Sequence, residues 1–138
     1  MSAQRSVNAP IRVLIVDDEQ PVRSVLTSYL QKFGYLPMEA TNAEEARRAL
    51  ESEQVDIVIS DNQMPGMSGV NLFRLIEEKY PDLVDRFLLI TGTKYDEEVA
   101  SFCRASRAAF LEKPFQLREI SAILEGMVTQ LREASPAN

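Results

Sequence analysis

The 138-residue chain contains no histidine and only one cysteine, Cys103. Without histidine, the chain alone cannot build a Ser-His-Asp triad, an imidazole general base or a histidine-bearing zinc site. A single cysteine excludes an intramolecular disulfide and a thiolate metal cage. Cys103 lies between Phe102 and Arg104 in a helical pattern, which predicts a small core residue.

Long apolar runs and an excess of positive charge are also missing. No segment approaches the roughly 20 apolar residues of a membrane span, and residues 1–10 lack the apolar stretch of a secretory signal. The formal net charge is −6, from 15 Lys and Arg against 21 Asp and Glu. A nucleic-acid surface requires clustered Lys and Arg. We therefore expect a cytoplasmic protein that binds neither membranes nor nucleic acid directly.

The composition is that of an ordinary globular domain, with 45% hydrophobic and 26% charged residues. The length suits one domain with a single core and is too short for two. We expect one folded domain over residues 11–132, with flexible segments at 1–10 and 133–138.

Short apolar runs alternate five times with helical patterns along the chain. The predicted strands are 11–16, 35–40, 55–60, 87–90 and 109–111. Gly34 is placed to end the first helix, and Asn42 with Glu45 has the form of a capping box before the second. Several strands are too apolar for a sheet with one face exposed to solvent. The pattern therefore predicts an α/β sandwich around a parallel sheet.

Polar residues follow four of the predicted strands. Asp17 and Asp18 follow the first strand, Asp61 the third, Thr91 the fourth and Lys113 the fifth. Ligands of open parallel sheets bind at the carboxyl ends of the strands, where such residues converge. Each residue taken alone has a structural interpretation, as a helix cap, a turn residue or a solvated side chain. Their coincidence at one edge favours a functional site.

The convergent residue types suit phosphoryl transfer to a carboxylate. Clustered carboxylates repel one another unless a cation neutralises them, and hard oxygen ligands favour Mg²⁺. A carboxylate beside Mg²⁺ is a nucleophile for phosphorus. Lys113 is suited to neutralise one phosphoryl oxygen and Thr91 to donate a hydrogen bond to another. Gly92 keeps the approach beside Thr91 open.

Four short motifs carry a family resemblance. They are VDDE at 16–19, SDNQMPGMSG at 60–69, TG at 91–92 and EKPF at 112–115. In this order they resemble the receiver domain of two-component response regulators, over residues 11–131. The resemblance implies a flavodoxin-like, three-layer α/β fold, whose parallel five-stranded sheet has the order 2-1-3-4-5.

The resemblance also implies roles for individual residues around a magnesium ion. Asp61 matches the phosphoacceptor, which takes a phosphoryl group from a phosphohistidine on a partner. Asp17 and Asp18, with Asp61 and the backbone carbonyl of Gln63, match the Mg²⁺ ligands. Gln63 and Thr93 occupy variable positions flanking the site that affect phosphoryl lifetime in the family.

A second group of residues matches the phosphoryl contacts and the switch. Thr91 and Lys113 match the hydroxyl and ammonium that contact the phosphoryl oxygens. The bond from Lys113 to Pro114 is cis in such families. Phe110 matches an aromatic switch position that swings inward as Thr91 moves, which reshapes the face of the last two helices and the fifth strand. Plain core packing is the alternative for Phe110.

These features predict a signalling module and not an enzyme. Since the chain has no histidine, the phosphoryl donor is a sensor histidine kinase, a phosphotransfer protein or a small molecule such as acetyl phosphate. We expect output through an unknown partner, a phosphorylation-dependent homodimer or a domain outside this sequence.

Two contexts remain open, a stand-alone or N-terminal response regulator and the receiver domain of a hybrid sensor histidine kinase. A different class is a haloacid dehalogenase-type aspartyl-phosphate phosphatase. That family needs a second Asp two residues after its nucleophile, where this chain has Gln63. A degenerate receiver that only binds partners is a further option, disfavoured by the intact acidic pair.

Overall fold

The computed structural model describes residues 9–92 and 97–134. Its strands are β1 (Arg12–Val16), β2 (Leu36–Ala40), β3 (Ile57–Asp61), β4 (Phe87–Thr91) and β5 (Ala109–Glu112). Its helices are α1 (Gln20–Lys32), α2 (Ala43–Ser52), α3 (Gly69–Lys79), a 3₁₀ helix (Pro81–Arg86), α4 (Glu97–Ala105) and α5 (Leu117–Ala134). The predicted flexible segments therefore lie mostly outside the described residues, while residues 133 and 134 belong to α5.

The five strands form one parallel sheet in the order β2-β1-β3-β4-β5. The register places Val16 beside Ala40 on one side and beside Ser60 on the other. Asp61 is paired with Ile90. This confirms the predicted fold class and strand order, and it aligns the carboxyl ends of the strands along one edge.

The core has two halves, one on each face of the sheet. Leu14 and Val16 of β1 belong to one cluster, whereas Val13 and Ile15 belong to the other. Alternate residues of a strand point to opposite faces, so both faces of β1 are buried. Helices α2, α3 and α4 contribute to the first cluster, and α1 and α5 to the second. The result is the predicted three-layer sandwich.

Local sequence signals account for several helix ends. Gly34 has a φ of 86°, the left-handed conformation of a residue just after a helix. Asn42 Oδ1 accepts a hydrogen bond from the Glu45 N–H at 2.8 Å, as the predicted capping box requires. The Glu45 carboxylate, however, accepts from the Thr41 N–H at 2.7 Å and not from Asn42. The second hydrogen bond of the capping box, from the backbone to the Glu45 side chain, therefore comes from the residue before the N-cap.

Two features differ from the expectation. The 3₁₀ helix Pro81–Arg86, which follows α3, has no counterpart in the sequence prediction. The buried face of the first helix is also narrower than its sequence predicts from the apolar residues at helical spacing, which are Val22, Val25, Leu26, Tyr29, Leu30 and Phe33. Leu26 and Leu30 are buried, but Val25 is 53% exposed and Phe33 56%. No helix among the described residues is long and apolar enough to cross a membrane.

Candidate functional site

Three carboxylates converge at the carboxyl edge of the sheet. Asp17 and Asp18 follow β1, and Asp61 is the last residue of β3. One oxygen from each of the three carboxylates lies within 4.8 Å of the others. The pairing of β1 with β3 explains this proximity, because Val16 and Ser60 are register partners. The structure thus brings together the three acidic residues predicted from the sequence.

Asp61 is buried, with 5% of its surface exposed, and its side chain lies beside Lys113. Its Oδ1 lies 3.4 Å from Lys113 Nζ, an ion-pair distance, and has no hydrogen-bond partner among the residues described. Burial raises the pKa of the Asp61 carboxyl, while Lys113 and the Gln63 backbone N–H oppose that rise. Asp61 is therefore a buried carboxylate whose Oδ1 has Lys113 as an ion-pair partner but accepts no hydrogen bond in the described structure.

Asp17 is also buried and is held in a defined orientation. Its Oδ1 accepts the Glu19 N–H at 2.8 Å, and its own N–H donates to the Ala40 carbonyl at 3.1 Å. Burial raises the pKa of the Asp17 carboxyl, and the nearby Asp61 and Asp18 raise it further. Asp18, in contrast, is exposed. The cluster concentrates negative charge that its protein surroundings compensate only in part.

This cluster fits a divalent cation. Within residues 9–92 and 97–134, it is the only group of three or more His, Cys, Asp or Glu side chains close enough together to hold a metal ion. Its donors are carboxylate oxygens, the ligands that Mg²⁺ prefers. The buried Asp61 oxygen accepts no hydrogen bond in the described structure, and the pKa values of Asp17 and Asp61 are raised; both indicate a demand for positive charge that Lys113 alone does not meet.

Thr91 and Lys113 lie on the other side of Asp61. Thr91 ends β4 and is 3% exposed. The Lys113 N–H donates to the Thr91 carbonyl at 2.8 Å, and the bond between Lys113 and Pro114 is cis. A Cβ added to Gly92 would lie 3.8 Å from Gln63 Oε1 and 3.9 Å from Lys113 Cδ. Gly92 thus lies between the side chains of Gln63 and Lys113, beside the acidic cluster.

The loop after Asp61 contains two structural residues that the sequence motifs include but to which no role was predicted. A Cβ on Gly69 would lie 2.6 Å from the Asp61 carbonyl oxygen and 2.7 Å from Leu89 Cδ1, so α3 begins in direct contact with β3. Asn62 Oδ1 accepts the Val70 N–H at 3.1 Å, and the Asn62 carbonyl accepts from Gly69. An Asn directly after a strand and a Gly at the start of a helix are the sequence signals that could have identified them.

Phe110 is located in β5, an edge strand, and 47% of its surface is exposed. The core-packing alternative for Phe110 is therefore wrong. Cys103 packs against the core, as predicted for a small core residue, but it is only partly buried. Thr93, the second predicted flanking position, lies outside the described residues.

Comparison with curated proteins identifies regulators and a kinase that share this domain. The transcriptional regulator NtrC of Proteus hauseri is 34% identical over 128 residues, covering 91% of this chain and 26% of the regulator. The sensor kinase CckA of Brucella abortus is 34% identical over 118 residues, covering 84% of this chain and 12% of the kinase. The chain therefore spans only a small part of either protein.

Two solved structures that share this fold match the chain over nearly their whole length. The signal receiver domain of an HD domain-containing protein from Pseudomonas fluorescens Pf-5 superposes with a TM-score of 0.82 at 25% identity, covering 91% of this chain and 99% of that one. The response regulator TrrA of Thermotoga maritima, solved in complex with Mg²⁺ and BeF, gives a TM-score of 0.73 at 31% identity, covering 85% and 98%.

The family model for the response regulator receiver domain matches residues 13–125. That range contains all three acidic residues, Thr91 and Lys113. The chain therefore belongs to the response regulator receiver domain family of two-component signalling systems.

Proposed function

We propose that Asp61 accepts a phosphoryl group from a phosphohistidine on a partner protein, in a reaction that depends on Mg²⁺. The observation that carries this proposal is the state of Asp61 Oδ1. This oxygen is buried, has no hydrogen-bond partner in the described structure and lies 3.4 Å from the Lys113 ammonium, and the Asp61 carboxylate clusters with those of Asp17 and Asp18. A nucleophilic carboxylate needs such an oxygen, since one already engaged in hydrogen bonds is less available for attack.

Asp17, Asp18, Asp61 and the backbone carbonyl of Gln63 would hold the metal ion. When bound, Mg²⁺ neutralises carboxylate and phosphoryl charge that would otherwise repel. The Asp61 oxygen attacks phosphorus, the bond from phosphorus to the donor nitrogen breaks, and the electron pair of that bond leaves with the imidazole. Lys113 supports this step because its ammonium is already beside the attacking carboxylate, where phosphoryl charge would be placed.

Thr91 and Phe110 are proposed to transmit the modification to a partner-binding face. Thr91 is buried at the end of β4, whereas Phe110 is half exposed on the neighbouring β5. When the Thr91 hydroxyl turns toward a phosphoryl oxygen, it leaves space that an inward-moving Phe110 would fill. This exchange would convert a local charge change into a different surface on α4, β5 and α5.

Receiver domains are signalling modules and not a classical enzyme family, so the family match supports the signalling role over the phosphatase alternative. We propose that residues 11–132 act as the receiver unit of a cytoplasmic, stand-alone or N-terminal response regulator. The relatives include both a regulator and a sensor kinase, so a receiver of a hybrid kinase is the second candidate context. A sensor histidine kinase or phosphotransfer protein would supply the phosphoryl group, with acetyl phosphate as a small substitute. Output would run through a partner protein or a phosphorylation-dependent homodimer.

Nuclear magnetic resonance with beryllofluoride, a stable mimic of the phosphoryl group, tests this function. We expect Mg²⁺ alone to shift the signals of Asp17, Asp18 and Asp61. Adding beryllofluoride should further shift Thr91, Lys113 and Phe110, and Asp61→Asn should abolish this second set. Shifts confined to the acidic edge, with none at Phe110, would contradict the switch. Failure of the wild type to bind beryllofluoride would contradict the phosphoacceptor assignment.

A further inference from the structure

Arg23, in the first turns of α1, contacts the acidic edge from outside the metal cluster. Its Nη1 donates to the backbone carbonyl oxygen of Asp17 at 2.7 Å. Its Nε donates to Oε1 of Glu39 on β2 at 3.0 Å. Only 11% of the Arg23 side chain is exposed, so this guanidinium is held within the structure and is not a solvated surface charge.

The carbonyl that Arg23 binds has a special position. It belongs to the planar peptide unit that joins Asp17 to Asp18. A strong donor on this oxygen therefore restricts the rotation of the unit that connects two of the three clustered carboxylates. The other restraints on Asp17 are its N–H bond to Ala40 and the acceptance of the Glu19 N–H by its side chain. Arg23 supplies the restraint on the Asp18 side.

The guanidinium is itself fixed by β2. Glu39 accepts from Arg23 through Oε1 and from Thr27 Oγ1 through Oε2, at 2.8 Å. Glu39 is the register partner of Ile15, two residues before Asp17. The chain of contacts thus connects α1 and β2 to the end of β1. A guanidinium can bridge two acceptors in one plane, which an ammonium on a flexible stem does less well.

We propose that Arg23, held by Glu39, is a positioning residue for the Mg²⁺ site: it orients the Asp17–Asp18 peptide and thereby sets the affinity for the ion. This inference rests on the proposed function, which places Mg²⁺ at the acidic cluster. Arg23 touches neither the ion nor the phosphoryl group in this assignment. It acts through the backbone between two ligands.

Charge and positioning predict opposite effects for the loss of Arg23. Removing a cation near three carboxylates makes the site more negative, and Coulomb attraction alone would then strengthen Mg²⁺ binding. Loss of positioning would weaken it, since the carboxylates would no longer be held for the ion. The direction of the change in affinity therefore separates the two effects.

Calorimetric titration of the whole chain with Mg²⁺ alone provides the test. We expect Arg23→Met, which keeps much of the side-chain volume, to raise the dissociation constant about tenfold. Arg23→Lys should raise it less. The matched control is Arg48→Met on α2, whose side chain is 66% exposed, and we expect no more than a small change there. Unfolding measured in EDTA is followed in parallel, because a purely structural role lowers stability without changing the Mg²⁺ affinity.

Equal or tighter Mg²⁺ binding by Arg23→Met would overturn the inference. No Mg²⁺ binding by the wild type would instead contradict the proposed function, so the two failures are distinguishable. If Arg23→Met does not fold, Thr27→Val decides the question. This variant releases one oxygen of Glu39 without changing any charge. A two- to threefold weaker affinity, the modest loss expected for one lost hydrogen bond, would support positioning, and an unchanged affinity would refute it.

Discussion

The ammonium of Lys113 lies 3.4 Å from Oδ1 of Asp61, joining residues from the ends of β5 and β3. The Lys113 side chain is 36% exposed, whereas that of Asp61 is 6% exposed. The pair is therefore solvated at its lysine end, where a flexible side chain keeps its ammonium in contact with water. This asymmetry suits a site in which Lys113 transfers its contact from the carboxylate to a phosphoryl oxygen.

Replacing Asp61 by Asn should stabilise the metal-free protein at neutral pH. Burial raises the pKa of this carboxyl, which means that the folded state disfavours its charged form. Asn keeps the shape and removes the charge, so we expect a gain of about 1 kcal/mol in the free energy of unfolding. Denaturant unfolding of both proteins in EDTA measures this difference in the free energy of unfolding. A clear loss of stability would show that the carboxylate is instead well compensated in the folded state.

The stability of the metal-free wild type should fall as the pH rises through the acid range. The pKa values of Asp17 and Asp61 are both raised in the folded state above their ordinary value of 3.8. At these two groups the folded state binds more protons than the unfolded one, so their contribution to stability is lost from about pH 4 upward through the raised pKa values. Saturating Mg²⁺ should reduce this loss. Comparing the wild type with Asp61→Asn separates the contribution of the acidic cluster from that of the other carboxyls. If the free energy of unfolding had the same dependence on pH in both proteins, the predicted contribution of Asp61 would be refuted.

Removing Lys113 should impair phosphorylation far more than metal binding. Lys113→Ala takes away the cation closest to the attacking oxygen, and we expect labelling by acetyl phosphate to slow about 100-fold. Mg²⁺ affinity should stay the same or increase, because a competing positive charge is lost. Lys79→Ala, at the end of α3, is the control that removes a lysine away from the site. A labelling rate equal to that of the control would argue against the role given to Lys113.

Gly69→Ala should destabilise the fold, because the new Cβ would meet the Asp61 carbonyl oxygen at 2.6 Å and backbone cannot easily move there. The expected loss is about 1–3 kcal/mol, as for other overpacked sites. Gly126→Ala in α5 is the matched control. Its Cβ would meet nothing within 4 Å, so it should gain up to about 1 kcal/mol from helix propensity. Thermal unfolding should move the midpoints of the two variants in opposite directions, and a Gly69→Ala midpoint at or above that of the wild type would contradict this close approach.

The sheet and the acidic edge were predictable because each depends on local signals. Apolar runs such as 11–16 and 87–90 mark buried strands, and the parallel sheet then brings together whatever follows them. Asp17, Asp61 and Lys113 could therefore be placed at one edge without knowing their distances. Gly34 and Asn42 acted through short-range backbone geometry, which is equally visible in sequence.

What escaped prediction depends on neighbours distant in the chain. The ion pair of Arg23 with Glu39 joins residues 16 positions apart. Arg23 also donates to the backbone carbonyl oxygen of Asp17, and no side-chain pattern in the sequence marks such an acceptor. The exposure of Val25 follows from which part of α1 the sheet covers, which periodicity alone does not give. Likewise, the close approach at Gly69 results from how α3 meets β3 and β4.

Intact-protein mass spectrometry after incubation with acetyl phosphate tests the central claim, phosphorylation of Asp61, most directly. Wild type and Asp61→Asn are compared with Mg²⁺ and with EDTA, and the adduct is located by peptide mapping. We predict a single phosphoryl adduct on Asp61, formed only with Mg²⁺ and absent from the variant. An adduct of equal yield in Asp61→Asn, or one that forms equally well in EDTA, would contradict it.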